Sequence, residues 1–347
     1  MKIAIVGAGA IGSGVGALLH QAGLDVTLVG RPAHVAAINQ RGLIMDDVRP
    51  EAMRKVVLRI PAAERLTFTP DILAVATKAH DVAEACSQSL PYARGAPAVM
   101  MQNGISGDAI AGDILGRENI IGCIVRFGMV YLEPGVIVRH SAGRLLIGQS
   151  FQPNGPVTRR VAETLSIGIQ TALTDNIGGA RWTKLLYNVQ AAVQAATGLS
   201  MEECGKRKDL VALGMEMVRE TARVADAAGV RLARVEGIPL EAVAALRKLP
   251  PMTRETDLPK ELSQLCVFLG GHSPMSSTLQ SRKRGKSTEV DYLNGDVVKA
   301  ARAAGTTAPL NENAVRLIHA LERTDAYVTP EELWAALVGG RSATLSG

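Results

Sequence analysis

Aromatic side chains are scarce in this chain. Phe, Tyr and Trp make up 3% of its 347 residues, too few to build a stacking platform for single-stranded nucleic acid. Cysteine is sparse too, and Cys86, Cys123, Cys204 and Cys266 lie far apart. No CxxC pair and no Cys/His ligand spacing occurs, which argues against a disulfide framework or a zinc site and for reduced thiols in a cytoplasmic setting. No apolar run reaches the length of a membrane span. The opening residues lack a cleavable apolar segment with a small-residue exit, so no signal peptide is expected. Charge of one sign is not in large excess either: 38 Lys and Arg against 33 Asp and Glu leave a net charge of +5. Such a surface mildly favours small anions and says nothing about fold.

What the chain does have is aliphatic material. Apolar residues make up 47%, enough for two buried cores, and the length suggests two domains. The first half alternates strand and helix signals. Residues 2–6 (KIAIV) form a short apolar run ending at Gly7, as a buried parallel strand does. Residues 12–22 read as a helix closed by Gly23, and 25–29 (DVTLV) as a second strand broken at Gly30-Arg31-Pro32. Residues 71–76 and 97–102 are further strands. From 119 to 148 short β segments alternate with turns, predicting a hairpin extension of the same sheet. Beyond about residue 175 strand signals stop. Helical spacing then covers 180–197, 208–229, 238–247, 256–270, 287–304 and 309–323. The expected architecture is an α/β doubly wound sheet over 1–175, an all-α domain over 176–338, and a flexible tail over 339–347.

Gly7-Ala8-Gly9-Ala10-Ile11-Gly12 is a G-x-G-x-x-G between a strand and a helix, the context that a Rossmann-type dinucleotide site requires. Gly7 allows the tight turn, Gly9 the close approach of a pyrophosphate, and Gly12 the packing of helix on strand. The helix N-terminus faces the phosphates with free N–H groups. A site for NAD wants an acid at the end of the second strand. Here the sequence is Val29-Gly30-Arg31, and a guanidinium there suits the 2′-phosphate of NADP. Arg31 taken alone is also consistent with a solvated loop cation. Lys78 and Asn103 follow two further strands, at the carboxyl ends where open sheets bind ligands. Asn103-Gly104 is equally a plain turn signal.

On the helix around 182–188, Lys184 and Asn188 are four residues apart and share a face. A lysine set in so apolar a segment is a candidate general acid, and equally a side chain that snorkels to water. Ser287 reads as an N-cap that puts Glu289 in the first turn of a helix, where simple dipole complementarity also accounts for it. The basic run 282–286 lies in a loop without aromatic interleaving, so no nucleic-acid partner is expected from it.

Taken in order, GAGAIG at 7–12, VGR at 29–31, ATKAHDV at 76–82, QNG at 102–104, WTKLLYN at 182–188, SSTLQ at 276–280 and STEVDYLNG at 287–295 resemble the ketopantoate reductase (2-dehydropantoate 2-reductase) family. The resemblance implies a Rossmann domain followed by a helical domain like that of 6-phosphogluconate dehydrogenase. It implies reduction of the 2-keto group of ketopantoate by NADPH, for pantothenate and coenzyme A synthesis, with no metal. It makes Lys184 the general acid and Glu289 the carboxylate that holds the substrate hydroxyl. Asn188 and Ser277 become substrate contacts, Asn103 and Lys78 groups near the nicotinamide and its ribose, and Arg31 the 2′-phosphate contact. Members occur as monomers and dimers, and a homodimer is expected here. Two positions depart from the pattern. Ala192 stands where many members carry a substrate-site Asn, and Pro274 where some do. That opens a second reading, a paralogue acting on another 2-keto acid or related carbonyl. A non-catalytic NADP-binding sensor is a third, disfavoured because it needs neither Lys184 nor Glu289.

Overall fold

The computed structural model describes residues 1–257 and 275–339. All but the first residue of the expected tail 339–347, Cys266, Pro274 and nearly all of the helix expected over 256–270 lie outside the described residues. Two compact units divide the chain. The first holds Met1–Gln102 and Ser106–Gly178, and the second gathers Asn103–Ile105 with the residues from Gly179 onward.

The first unit is built on β1 (Lys2–Val6), β2 (Asp25–Val29), β3 (Leu43–Asp47), β4 (Arg54–Leu58), β5 (Ala62–Ala63), β6 (Ile72–Val75), β7 (Ala98–Met100), β8 (Ile120–Val125), β9 (Met129–Glu133), β10 (Val136–Arg139), β11 (Leu145–Gln149) and β12 (Thr171–Leu173). Its helices are α1 (Ala10–Gln21), α2 (Pro32–Arg41), α3 (Val82–Ala93), α4 (Gly107–Leu115) and α5 (Pro156–Ser166). An eight-stranded sheet runs β12-β11-β8-β7-β6-β1-β2-β5, and only the β8–β11 pair in it is antiparallel. The order β5-β2-β1-β6-β7-β8 is the strand order of a Rossmann fold.

Strand periodicity explains why both faces are covered. Ile3 and Ile5 of β1 and Ile72 and Ala74 of β6 pack with Val15 and Leu19 of α1 and Val161 and Leu165 of α5. Their neighbours Ala4, Val6, Leu73 and Val75 point the other way, onto Val82 and Cys86 of α3 and Ala111 and Leu115 of α4. A sheet buried on both faces needs apolar residues at successive positions, and β1 and β6 supply them.

The segment 119–148 does not behave as one extension. β8 and β11 join the main sheet, while the β9–β10 hairpin turns away into a second sheet of order β4-β3-β10-β9. Its inner side, Leu43, Met45, Met129 and Ile137, packs into the same core as α1. β10 lies parallel to β3, nearly a hundred residues earlier, so chain proximity is a poor guide to its pairing.

The second unit is helical: α6 (Ile177–Asn188, which begins at the junction), α7 (Ala191–Thr197), α8 (Met201–Gly205), α9 (Lys208–Ala227), α10 (Leu240–Lys248), α11 (Ser277–Lys283), α12 (Asn294–Ala303), α13 (Pro309–Glu322) and α14 (Pro330–Val338). Two expected helices are interrupted. The run 180–197 breaks between α6 and α7, and 287–304 is a single 3-10 turn, Val290–Tyr292, followed by α12. Glu289, not Ser287, precedes that turn, and its side chain makes no capping bond to it. The expected Ser287 cap is therefore not formed, and Glu289 stands at the N-cap of a single 3-10 turn rather than in the first turn of a long helix.

Candidate active site

In the first unit the glycine motif has the expected build. Gly7 has φ +98°, and a Cβ there would collide with the backbone of Ala76 and Thr77 at the end of β6. A Cβ on Gly12 would strike the Gly7 carbonyl, whereas one on Gly9 meets nothing within 4 Å. Space therefore lies over Gly9, the N-cap of α1, which has neither a side-chain cap nor an acid in its first turn. The leading N–H groups of a helix have no partner within it, so the loop Gly7–Gly12 with Ala8, Ala10 and Ile11 fits a dinucleotide pyrophosphate. Arg31 is the exposed N-cap of α2, and among the described residues its guanidinium forms no hydrogen bond or ion pair. Lys78 sits half-buried ahead of a 3-10 turn at the end of β6. Gln102, at the end of β7, donates through Nε2 to the carbonyls of Val75 (2.9 Å) and Thr77 (3.3 Å), tying the two strand ends together.

A residue outside the motif braces this corner. His34 of α2 is buried, and its Nδ1 accepts the Gly135 N–H at 2.9 Å. The proton must then sit on Nε2, which donates to Ser13 Oγ of α1 at 3.0 Å. Burial holds the His34 pKa below the usual histidine value. One neutral imidazole thus links α1, α2 and the β9–β10 turn. Nothing in the local sequence marks it, because both partners are distant in the chain.

In the second unit α6 is buried nearly all round. From Gly179 to Gln190 only Lys184 and Asn188 are not buried, and both are half-buried on one stripe. Trp182, Leu185 and Val189 pack into the helical core. Ser277 is the exposed first residue of α11; Ser276 caps that helix by accepting the Leu279 N–H, and its own N–H reaches Gln194 Oε1 at 2.7 Å. Glu289 is 5% exposed. Its segment is pinned from α13: Glu322 Oε1 accepts the Thr288 N–H at 2.7 Å, and His319 bridges Glu322 and Asp291 at 3.0 and 2.9 Å. Burial opposes charge on His319, but the two carboxylates outweigh it and raise its pKa.

Asn103, expected on a strand end of the first domain, clusters with the helical unit. Gly104 has φ +85°, and a Cβ on it would strike the Tyr292 carbonyl. The adjacent Ile105 N–H donates to Asp296 Oδ2 at 3.3 Å. The second unit thus holds Asn103, Lys184, Asn188, Ser277 and Glu289, while the glycine motif, Arg31 and Lys78 belong to the first.

Other chemistries find no support. Burial pushes the Cys86 thiol up to about 12 and the Cys204 thiol up to about 11, which keeps both protonated near neutral pH. Among the described residues no group of three or more His, Cys, Asp or Glu could hold a metal. Arg282, from the basic run, donates to the carbonyls of Ala195, Leu321 and Ala326 and lies 4.4 Å over the Tyr327 ring. It is a structural clamp. No helix among the described residues is long and apolar enough to cross a membrane.

The model of the family described as ketopantoate reductase PanE/ApbA matches residues 3–151, and that of its C-terminal part matches 176–322. The chain belongs to the ketopantoate reductase family. The 2-dehydropantoate 2-reductase of Pyrococcus horikoshii is 32% identical, covering 93% of this chain and 98% of its own length. That of Pyrococcus abyssi is also 32% identical, over 90% and 94%. Among solved structures, a PanE/ApbA family ketopantoate reductase from Ralstonia eutropha JMP134 superposes with a TM-score of 0.76 at 26% identity, over 93% of this chain and 99% of that one. A D-mandelate dehydrogenase solved with NADH and anilino(oxo)acetate shares the fold, with a TM-score of 0.78 at 24% identity over 93% and 99%. The fold class of this reductase family is thus a Rossmann-type α/β unit followed by a helical one.

Proposed function

We propose that the chain reduces the 2-keto group of ketopantoate to the hydroxyl of pantoate, with NADPH as the reductant, serving pantothenate and coenzyme A synthesis. The observation that carries the reading is the stripe on α6, where a helix buried on every other side presents a lysine and an amide four residues apart. Family membership and relatives named 2-dehydropantoate 2-reductase support it. NADPH, when bound along Gly7–Gly12, supplies the hydride that reduces the carbonyl carbon. Lys184 gives a proton to the carbonyl oxygen, and its ammonium stabilises the negative charge gathering there before transfer. Glu289 accepts a hydrogen bond from the substrate hydroxyl, Asn188 and Ser277 bind its polar groups, and Asn103 and Lys78 orient the cofactor end. Arg31 pairs with the 2′-phosphate and sets the preference for NADP over NAD.

The test is NADPH oxidation by purified protein with ketopantoate and a panel of other 2-keto acids, with NADH as control. Fast turnover on ketopantoate alone supports the proposal, and none on any acid overturns it. Arg31→Ala is expected to raise KM for NADPH far more than for NADH; equal effects remove the 2′-phosphate role. A second substrate reading rests on Ala192, which is buried and apolar on α7 and offers no amide to a polar ligand. Turnover confined to a less polar 2-keto acid selects it. The assembly that goes with either reading is a homodimer in the cytoplasm, and a monomeric mass by light scattering overturns the first part.

A further inference from the structure

The break between α6 and α7 has a specific donor behind it. In a continuous helix the Val189 carbonyl would accept the N–H of Val193, but that N–H goes to the Gln190 carbonyl at 3.0 Å. The Ala192 N–H reaches Val189 only at 3.4 Å. Asn294 meets this buried acceptor: its Nδ2 donates to the Val189 carbonyl at 3.1 Å and to Asn311 Oδ1 at 2.9 Å. Asn311 is fixed in turn by Glu220, whose Oε1 accepts its N–H and its Nδ2, both at 2.9 Å, while Oε2 accepts the Leu310 N–H at 3.0 Å. All three polar side chains are buried. A buried amide holding two acceptors in fixed directions is costly to disturb and has little freedom.

Two residues further along the same turn, Asp296 is 1% exposed and accepts the Ile105 N–H next to the Asn103–Gly104 bend. Lys299 pairs with its other oxygen at 3.3 Å. Asn294 itself begins α12 directly after the 289–293 segment that carries Glu289.

We infer that the first turn of α12, through Asn294 and Asp296, is the positioning element of the substrate site: it sets the α6 end carrying Lys184 and Asn188, the Asn103 bend, and the segment of Glu289 from one rigid point. Neither side chain touches substrate in this scheme. The inference rests on the reductase reading for its kinetic consequence, but not for its structural one.

The test uses the full chain with Asn294→Ala, Asp296→Ala and Asp296→Asn, the last keeping an acceptor for the Ile105 N–H. With a 2-keto acid the wild type reduces, Asn294→Ala and Asp296→Ala are expected to lower kcat/KM by roughly ten- to a hundredfold, the range set by sub-ångström misplacement. The dissociation constant for NADPH, held mainly by the glycine motif of the first unit, changes far less than kcat/KM, and Asp296→Asn recovers most of the loss. Hydrogen exchange on substrate-free protein provides the second readout. Asp296→Ala speeds exchange at the Ile105 amide, and Asn294→Ala speeds it across 188–193, while α9 stays protected. Wild-type kcat/KM in both alanine variants, or unchanged exchange at both places, overturns the inference. A wild type that reduces no 2-keto acid overturns the reductase reading instead and leaves the exchange result to decide this one. If Asn294→Ala does not fold, the Asp296 pair carries the test.

Discussion

Lys184 shares its accessible stripe only with Asn188 among residues 179–190. Lys184→Ala is expected to lower kcat by a factor of about 10² or more, as a lost general acid does. A near-normal rate would assign the proton to another group. Two histidines make opposite contributions to pH dependence. The His34 pKa is lowered by burial, so its neutral form belongs to the folded state. Its contribution is complete above the unfolded value of about 6.5 and is lost as pH falls from there through the lower folded value. The His319 pKa is raised. Its contribution is complete below about 6.5 and is lost as pH rises through the higher folded value. Melting curves from pH 5 to 9 should therefore show His34→Gln flattening the acid-side decline. His319→Gln should cost more stability at the acid end than at the alkaline end. The reverse pattern would mean that the tautomer or the carboxylate pairing is wrong.

Elements whose partners lie close in the chain were legible, and those fixed from a distance were not. The alternation of Ile3 and Ile5 with Ala4 and Val6 identifies β1 and its two covered faces. The glycine spacing likewise identifies the β1–α1 turn. No local pattern, however, marks the end of α6. Apolar periodicity runs on through 197, and the interruption answers to Asn294, 105 residues away. The β9–β10 hairpin looks like its neighbours β8 and β11, yet it pairs with β3. Asp47 on β3 shows the same limit. Polarity suggests an exposed residue, but the carboxylate is buried against Arg49 at 2.7 Å, with Arg139 at 3.7 Å. Burial works against its charge, and the Arg49 hydrogen bonds overcome that and hold its pKa low. Asp47→Ala leaves Arg139 facing an Arg49 whose remaining partner is Glu51 at 3.2 Å, and is expected to cost on the order of 3 kcal/mol in chemical denaturation. A loss within the scatter of surface substitutions would show that the arginines relax to water.

At the scale of the whole molecule, the candidate residues belong to separate units: one carries the glycine motif and Arg31, and the other the candidate acid, Lys184. The motif and Arg31 were readable because they are continuous segments, and Lys184 with Asn188 because helical spacing links them. The allegiance of Asn103 was not readable, since it follows β7 in sequence but packs with residues near 292–296. That allegiance sets a rule for recombination between relatives. A chimera joined once near residue 178 would take a bend packed on one α12 turn and set it on another. Three residues, 103–105, therefore have to be exchanged together with the helical half, so the seam for swapping parts is interleaved where the fold looks modular.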